Sequence, residues 1–288
     1  MKFNEDITSV LGEKVSYTQD YDPGILVREK RLNNREMYRI DHPLPFVGKD
    51  VWNCYEISFL KGDGFPINAV AKIVYDCSSE FIVESKSLKL YLNSFNMYKF
   101  NGDRLQAIRG FKKLVSKDLS KLLDTKVSIN LFFKEQNKKI FKDFTTIDSV
   151  IVEKTFSLFK ESPEILQCKE GAQEFKIKSS LLRSNCKITH QPDWGDLFVL
   201  YKGDKILDIN SFIEYLISFR GENHFHEEVV EMIYKRLFDL LGPEELMVAA
   251  IYTRRGGIDI NPIRANREEL LDINLINVKK HCQKMLRQ

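Results

Sequence analysis

The chain has 288 residues, 43% of them hydrophobic and 30% charged, with 44 Lys and Arg against 41 Asp and Glu. That length fits one large domain or two of ordinary size, and the composition excludes a disordered chain and a membrane-embedded one. A net charge of +3 excludes the clustered, unopposed cations of a large nucleic-acid footprint.

Residues 1–50 read as an irregular lead-in, with Pro23, Pro43 and Pro45 marking turns. Its opening "MKFNEDITSVLGEK" lacks the basic-then-apolar pattern of a leader, and no run approaches eighteen apolar residues. The expected compartment is therefore the cytoplasm, with no membrane partner.

Residues 51–135 form a first unit. "CYEISFLKG" alternates Tyr55, Ile57 and Phe59 on one face, "NAVAKIVYD" alternates similarly, and "EFIVES" supplies a third short strand. From Gly102 to Leu123 the period becomes helical, with Leu105, Ile108, Val115, Leu119 and Leu122 as the stripe and Asp103 in the first turn. "KVSINLFFK" returns to period two. Residues 136–175 read as a connecting region, and charge runs such as "KEQNKK" (134–139) as solvated loop.

Residues 176–288 repeat the plan. Strands "FKIKSSLL" and "DLFVLYKG" precede helices "INSFIEYLISF" and "FHEEVVEMIYKRLFDLLG". In the second helix Val229, Ile233, Leu237 and Leu240 make the stripe, and Gly242–Pro243 ends it. The strand "LMVAAIYT" follows. Each half thus reads as strands, a long helix and a strand, an α+β unit used twice.

Phosphate-loop, dinucleotide-fold, serine-hydrolase and zinc-protease motifs (GxxxxGK[ST], GxGxxG, GxSxG, HExxH) are all absent. The cysteines Cys54, Cys77, Cys168, Cys186 and Cys282 are odd in number and include no CxxC, so disulfides are not expected in a reducing compartment. Cys186 and His190 lack a second Cys/His pair, and His224 and His226 lack a third ligand, so no metal is expected.

Four segments offer chemistry. In "ESKSLKLYLNSF", Glu84 can accept two N–H groups from an amidine-like edge, and Ser85, Lys86 and Ser87 suit a phosphate; an ordinary solvated helix start would look the same. In "SNCKITHQPDWGD", Cys186 offers a nucleophile and Asp193 a proton carrier if burial raises its pKa; on these residues alone a structural cysteine beside a loop aspartate is the favoured reading. In "NHFHEEVVEMI", Phe225 can stack on a flat ring beside His226 and Glu227, although acidic residues at a helix start also serve the dipole. "YTRRGGIDINPIR" is a small basic spot sized for a phosphate.

Together "ESKSLKLYLNSFN", "SNCKITHQPDWG", "SFRGENHFHEE" and "YTRRGGIDINP" resemble the NADPH-dependent 7-cyano-7-deazaguanine reductases, the nitrile reductases of queuosine biosynthesis, in their long two-module form. The match runs in order along nearly the whole chain. It departs in the lead-in, where "YDPGILVREKR" replaces a proline-containing continuation, a region that the resemblance places away from the chemistry. The resemblance implies an α+β fold of two tandem tunnelling-fold modules, antiparallel sheets with helices packed on one face, with the active site between modules and homodimers beyond. It implies Cys186 as the nucleophile that forms a thioimide, Asp193 as proton donor, and Glu84 and Glu227 gripping the substrate with Val83, Ser85, Phe225 and His226 around it. Ser85, Lys86, Arg255 and Gly256 would hold NADPH, two of which would be oxidised per turnover, with no metal and no direct nucleic-acid contact. Rival readings are a cyclohydrolase-like purine- or pterin-handling protein of the same fold, which commonly uses a metal, a non-catalytic purine-binding module, and a thiol enzyme that hydrolyses the nitrile.

Overall fold

The computed structural model describes residues 20–136, 138–150, 155–286 and 288. The first nineteen residues of the lead-in and residues 151–154 of the connecting region lie outside the described residues.

In chain order the elements are β1 (Arg28–Lys30), α1 (Leu32–Met37), β2 (Val47–Leu60), β3 (Pro66–Asp76), β4 (Phe81–Val83), α2 (Ser85–Asn93), α3 (Arg104–Leu123) and β5 (Ser128–Phe132). Then come β6 (Thr145–Thr146), β7 (Cys168–Ser179), β8 (Arg183–Cys186), β9 (Pro192–Leu207), α4 (Ile209–Ser218) and β10 (Asn223–His224). The chain closes with α5 (His226–Leu241), β11 (Glu245–Tyr252), β12 (Ile258–Ala265) and α6 (Ile273–Ile276). Strand order β10-β8-β9-β11-β12-β2-β3-β5, with β7 also on β9 and β6 on β7, makes one ten-stranded sheet. Its pairings are antiparallel except β10 with β8 and β6 with β7. The class is α+β, and the two halves share one sheet because β12 of the second half pairs with β2 of the first from Ile258↔Cys54 to Ala265↔Val47.

Helix α3 forms where a period of 3.6 meets a good start. Asp103 and Gln106 complete a capping box, and Ala107, Phe111, Val115, Leu119 and Leu122 are buried on the sheet. Each large side chain in that stripe contributes roughly 1.5–3 kcal/mol by burial. Leu105, expected in the stripe, is exposed. Helices α2 and α3 cover one half of the sheet face and α4 and α5 the other. The opposite face packs Val51, Phe198 and Met247 against Phe141, Leu271 and Leu275.

Two departures from simple patterning follow from backbone detail. Strand β2 carries a register shift between Cys54 and Ile57, so Trp52 and Cys54 share the core face with Ile57 and Phe59, and Tyr55 does not. Tyr55 instead donates to Asp259 at 2.6 Å. Strand β12 was hidden by its polar residues and Pro262. Its ladder to β11 registers only Ile263 to Ala265, so the proline falls just beyond the ladder's end.

A buried ionic cluster crosses the seam. Arg35 bonds Glu231 through Nε at 2.9 Å and Nη2 at 2.8 Å, Arg264 reaches Glu231 at 2.9 Å and Asp50 at 2.8 Å, and Arg31 pairs with Asp50. Charges in such surroundings must be paired, because desolvating each one costs several kcal/mol. The lead-in helix α1 is thereby tied to β2, α5 and β12. No helix among the described residues is long and apolar enough to cross a membrane.

Candidate active site

A cavity of about 290 Å³ opens where the two halves meet. Val83 at the end of β4, Glu84, and Ser85 and Lys86 in the first turn of α2 form one wall. Cys186 at the end of β8 and Asp193 at the start of β9 form another, with Phe225, His226 and Glu227 at the start of α5. Arg255 and Gly256 project from the β11–β12 hairpin. All eleven side chains expected from the sequence therefore line one space.

Local folding explains each placement. Glu84 is the N-cap of α2, its carboxylate accepting from the N–H groups of Lys86 at 2.9 Å and Ser87 at 2.7 Å. It is thus both a helix cap and a cavity residue, and the Lys86 N–H is already occupied. Cys186 precedes a tight turn in which its N–H bonds the Gln191 carbonyl at 2.8 Å and its carbonyl accepts from His190 at 3.0 Å. At α5, Glu228 accepts from the Phe225 N–H at 3.0 Å and pairs with Lys187 at 2.9 Å, which leaves the preceding Glu227 turned inward. Gly256 and Gly257 both have positive φ, +58° and +78°, as a two-residue hairpin of type I′ demands. A Cβ on Gly257 would lie 2.5 Å from the Glu56 carboxyl carbon.

The charges are arranged unequally. Burial raises the Glu84 carboxyl above its ordinary range despite its two backbone donors. Burial and the nearby Asp50 push Glu227 up to about 8, against the pull of Arg31 and Arg264. Its Oε1 is buried without a hydrogen-bond partner. Asp193 goes the other way. Burial alone raises it, but the hydrogen bond to His226 and the charge of Arg255 more than offset this and hold it below the usual carboxylate range. The condition set for Asp193 as a proton carrier, a pKa raised by burial, is therefore not met in this arrangement. His226 Nε2 stands 3.3 Å from Asp193, and its ring stacks on Tyr252 with centroids 3.8 Å apart.

Sequence reading missed Trp52, Lys89, Ile188, Gln191 and His224, which also line the cavity. Lys89 carried a signal, lying one turn after Ser85 on the same helix face. Gln191 carried none. His224 is bound to Glu222 at 3.0 Å, and no group of three or more possible metal ligands occurs among the described residues. All five cysteines are free.

Comparison with known proteins agrees with this geometry. The family model described as "Nitrile reductase, 7-cyano-7-deazaguanine-reductase N-term" matches residues 17–131, and one described as "QueF-like protein" matches residues 192–270. A protein of Colwellia psychrerythraea strain 34H named NADPH-dependent 7-cyano-7-deazaguanine reductase is 40% identical over 90% of this chain and 92% of its own length. This chain belongs to the 7-cyano-7-deazaguanine reductase family. Identically named proteins of Desulfotalea psychrophila (36% identity, 90% of this chain and 93% of that one) and Legionella pneumophila strain Lens (38%, 92% of each) agree. Among solved structures, an apo archaeosine synthase QueF-like protein matches at a TM-score of 0.29 with 19% identity, covering 34% of this chain and 94% of that one, too distant to bear on the fold.

Proposed function

We propose that this chain reduces the nitrile of 7-cyano-7-deazaguanine to the amine of 7-aminomethyl-7-deazaguanine with NADPH, a cytoplasmic step toward queuosine in tRNA. One observation carries the reading: a thiol, an Asp–His pair and two buried carboxylates from three remote segments line a single cavity. Glu84 and Glu227 accept the N–H donors of the guanine-like edge, with Val83, Ser85 and His226 beside them and Phe225 covering the ring.

Cys186 sulfur bonds to the nitrile carbon, and the thiol proton passes by way of Asp193 to the nitrogen, giving a covalent thioimide. A nitrile accepts hydride poorly, whereas the thioimide presents a C=N unit. Two NADPH would each supply one hydride, the first to the thioimide carbon and the second to the later imine carbon, whose nitrogen takes up a proton drawn from solvent. Between them the C–S bond breaks, its electron pair returning to Cys186 as the imine forms. Enclosure of the imine away from water prevents its hydrolysis.

The donor set fits a phosphate-bearing cofactor. Lys86, Lys89 and Arg255 all line the cavity next to Gly256 and Ser85, and Lys89 and Arg255 reach solvent with 34% of each side chain exposed. We read the fold as two tunnelling-fold modules, 51–135 and 176–288, after a lead-in over 1–50 and joined through 136–175, assembling further into homodimers. The pairing of β12 with β2 supports that arrangement.

Mixing protein, NADPH and the cyano-deazaguanine tests the reaction by absorbance of the reduced nicotinamide. Two NADPH oxidised per nitrile are expected, and Cys186→Ala should lack the covalent adduct by intact mass. A carboxylate product without NADPH loss would replace this reading with nitrile hydrolysis.

A further inference from the structure

Arg255 is committed to two partners in the cavity. Its Nη1 pairs with Asp193 Oδ1, and its Nη2 donates to Gln191 Oε1 at 2.7 Å. The backbone beneath it is fixed, since Arg255 and Ile258 exchange two hydrogen bonds of 2.9 and 3.0 Å across the glycine turn. The side chain is not enclosed: 34% of it is exposed, against 4% for Asp193. Asp193 and Gln191 take one of the two N–H donors on each Nη, so a grip on phosphate through both Nη atoms competes with these partners.

We propose that Arg255 is a movable clamp, holding the Asp193 carboxylate while the cofactor site is empty and leaving it for the phosphate of an arriving nicotinamide dinucleotide. The inference rests on the cofactor reading above and adds a coupling between cofactor occupancy and proton supply.

The groups facing Asp193 define the consequence. His226 comes from α5, Arg255 from the hairpin and Tyr252 from the end of β11, while Cys186 from β8 and Glu227 from α5 share the cavity. With Arg255 withdrawn, His226 is the one cation-forming partner left in contact. The ring keeps its place, because it is stacked on Tyr252 at an interplanar angle of 9°. An Asp–His pair that has lost a fixed cation binds a proton at higher pH. That proton is then present when hydride arrives and scarce when the reductant is missing. Arg255 acts here as a positioning residue and touches no reacting atom.

The oxidised cofactor NADP+ separates this coupling from turnover. The readout is the rate of covalent adduct formation with the cyano-deazaguanine, by intact mass, across pH and without reductant. Saturating NADP+ should raise the inflection assigned to the pair by about 1 pH unit, the low end of the shift that one opposite charge causes. Arg255→Ala should show that raised inflection without NADP+, and Arg255→Lys, a point charge unable to bridge two partners, an intermediate one. A wild-type profile unmoved by bound NADP+ overturns the clamp, as does an Arg255→Ala profile equal to wild type. If titration calorimetry finds no NADP+ binding, the cofactor reading fails instead, and the Arg255→Ala profile still decides whether the arginine holds the carboxylate.

Discussion

Glu84 and Glu227 occupy matching places, each at the start of a helix facing the seam, and they are equally buried at 1% and 2% exposure. Their surroundings differ. Glu84 spends its oxygens on two backbone N–H groups of its own helix. Glu227 has an oxygen with no partner, and its charge is opposed by burial and Asp50 and supported by Arg31, a backbone N–H and Arg264. One carboxylate is part of the fold and available to a ligand. The other carries a buried oxygen without a partner, a cost to the fold that the N–H donors of a bound ligand would offset under the proposed reading. Binding sites commonly keep such locally unfavourable groups.

The largest expected effect removes the support behind Glu227. Arg264 is fully buried, bonds Glu231 and Asp50, and donates to the carbonyls of Lys49 and Ile263. Arg264→Met should destabilise by roughly 3–5 kcal/mol, since it takes a shared cation from two buried carboxylates and leaves Asp50 to Arg31 and Glu231 to Arg35 and Arg31. Urea unfolding would read this loss. A destabilisation below about 1 kcal/mol would mean the cluster is solvated and the contrast between the two glutamates overstated.

Glu227→Gln should act in opposite directions on fold and ligand. A folded pKa of about 8 against an ordinary 4.5 means the native state holds an extra proton between those values. Stability contributed by Glu227 is therefore full below about 4.5 and lost as pH rises through 8. At pH 9 the ligand-free Gln variant should be more stable than wild type by about 1–3 kcal/mol. In a Cys186→Ala background, calorimetry should show substrate binding weakened by roughly 1–3 kcal/mol, because an amide nitrogen faces a buried donor. Loss of stability together with unchanged affinity would make Glu227 an ordinary structural residue.

What the sequence revealed of this site divides by distance along the chain. Residues in compact motifs, such as Glu84 to Lys86 or Phe225 to Glu227, were legible because helix starts and their chemistry are local. The α+β class and most strands were legible from periodicity. The shift in β2 was not, since a bulge changes which residues face inward without altering composition. Strand β12 was given no element in the sequence reading, its polar residues and Pro262 masking a segment that pairs with both β11 and β2. The lowered pKa of Asp193 was not legible, because it comes from His226 and from Arg255, which lies 62 residues away. The lead-in was set apart from the chemistry, yet Arg31 belongs to the cluster behind Glu227. Each miss involves electrostatics or register assembled across the seam, which no window of sequence contains.

The smallest effect is expected at Glu84, and its pH dependence distinguishes it from its counterpart. Gln in its place keeps one acceptor for the helix start but turns an NH2 toward the second backbone N–H and removes a negative charge from the dipole's positive end. The cost should be about 0.5–2 kcal/mol. Because burial raises the folded pKa of Glu84, its contribution is greatest in acid and declines as pH rises through that value. The gap between wild type and Glu84→Gln in urea midpoint should therefore be wider at pH 4 than at pH 8, always with wild type the more stable. At Glu227 the sign at high pH is reversed. If both variants shift stability in the same direction at pH 9, the unpartnered oxygen of Glu227 finds a donor in solution, and the two carboxylates are equivalent caps.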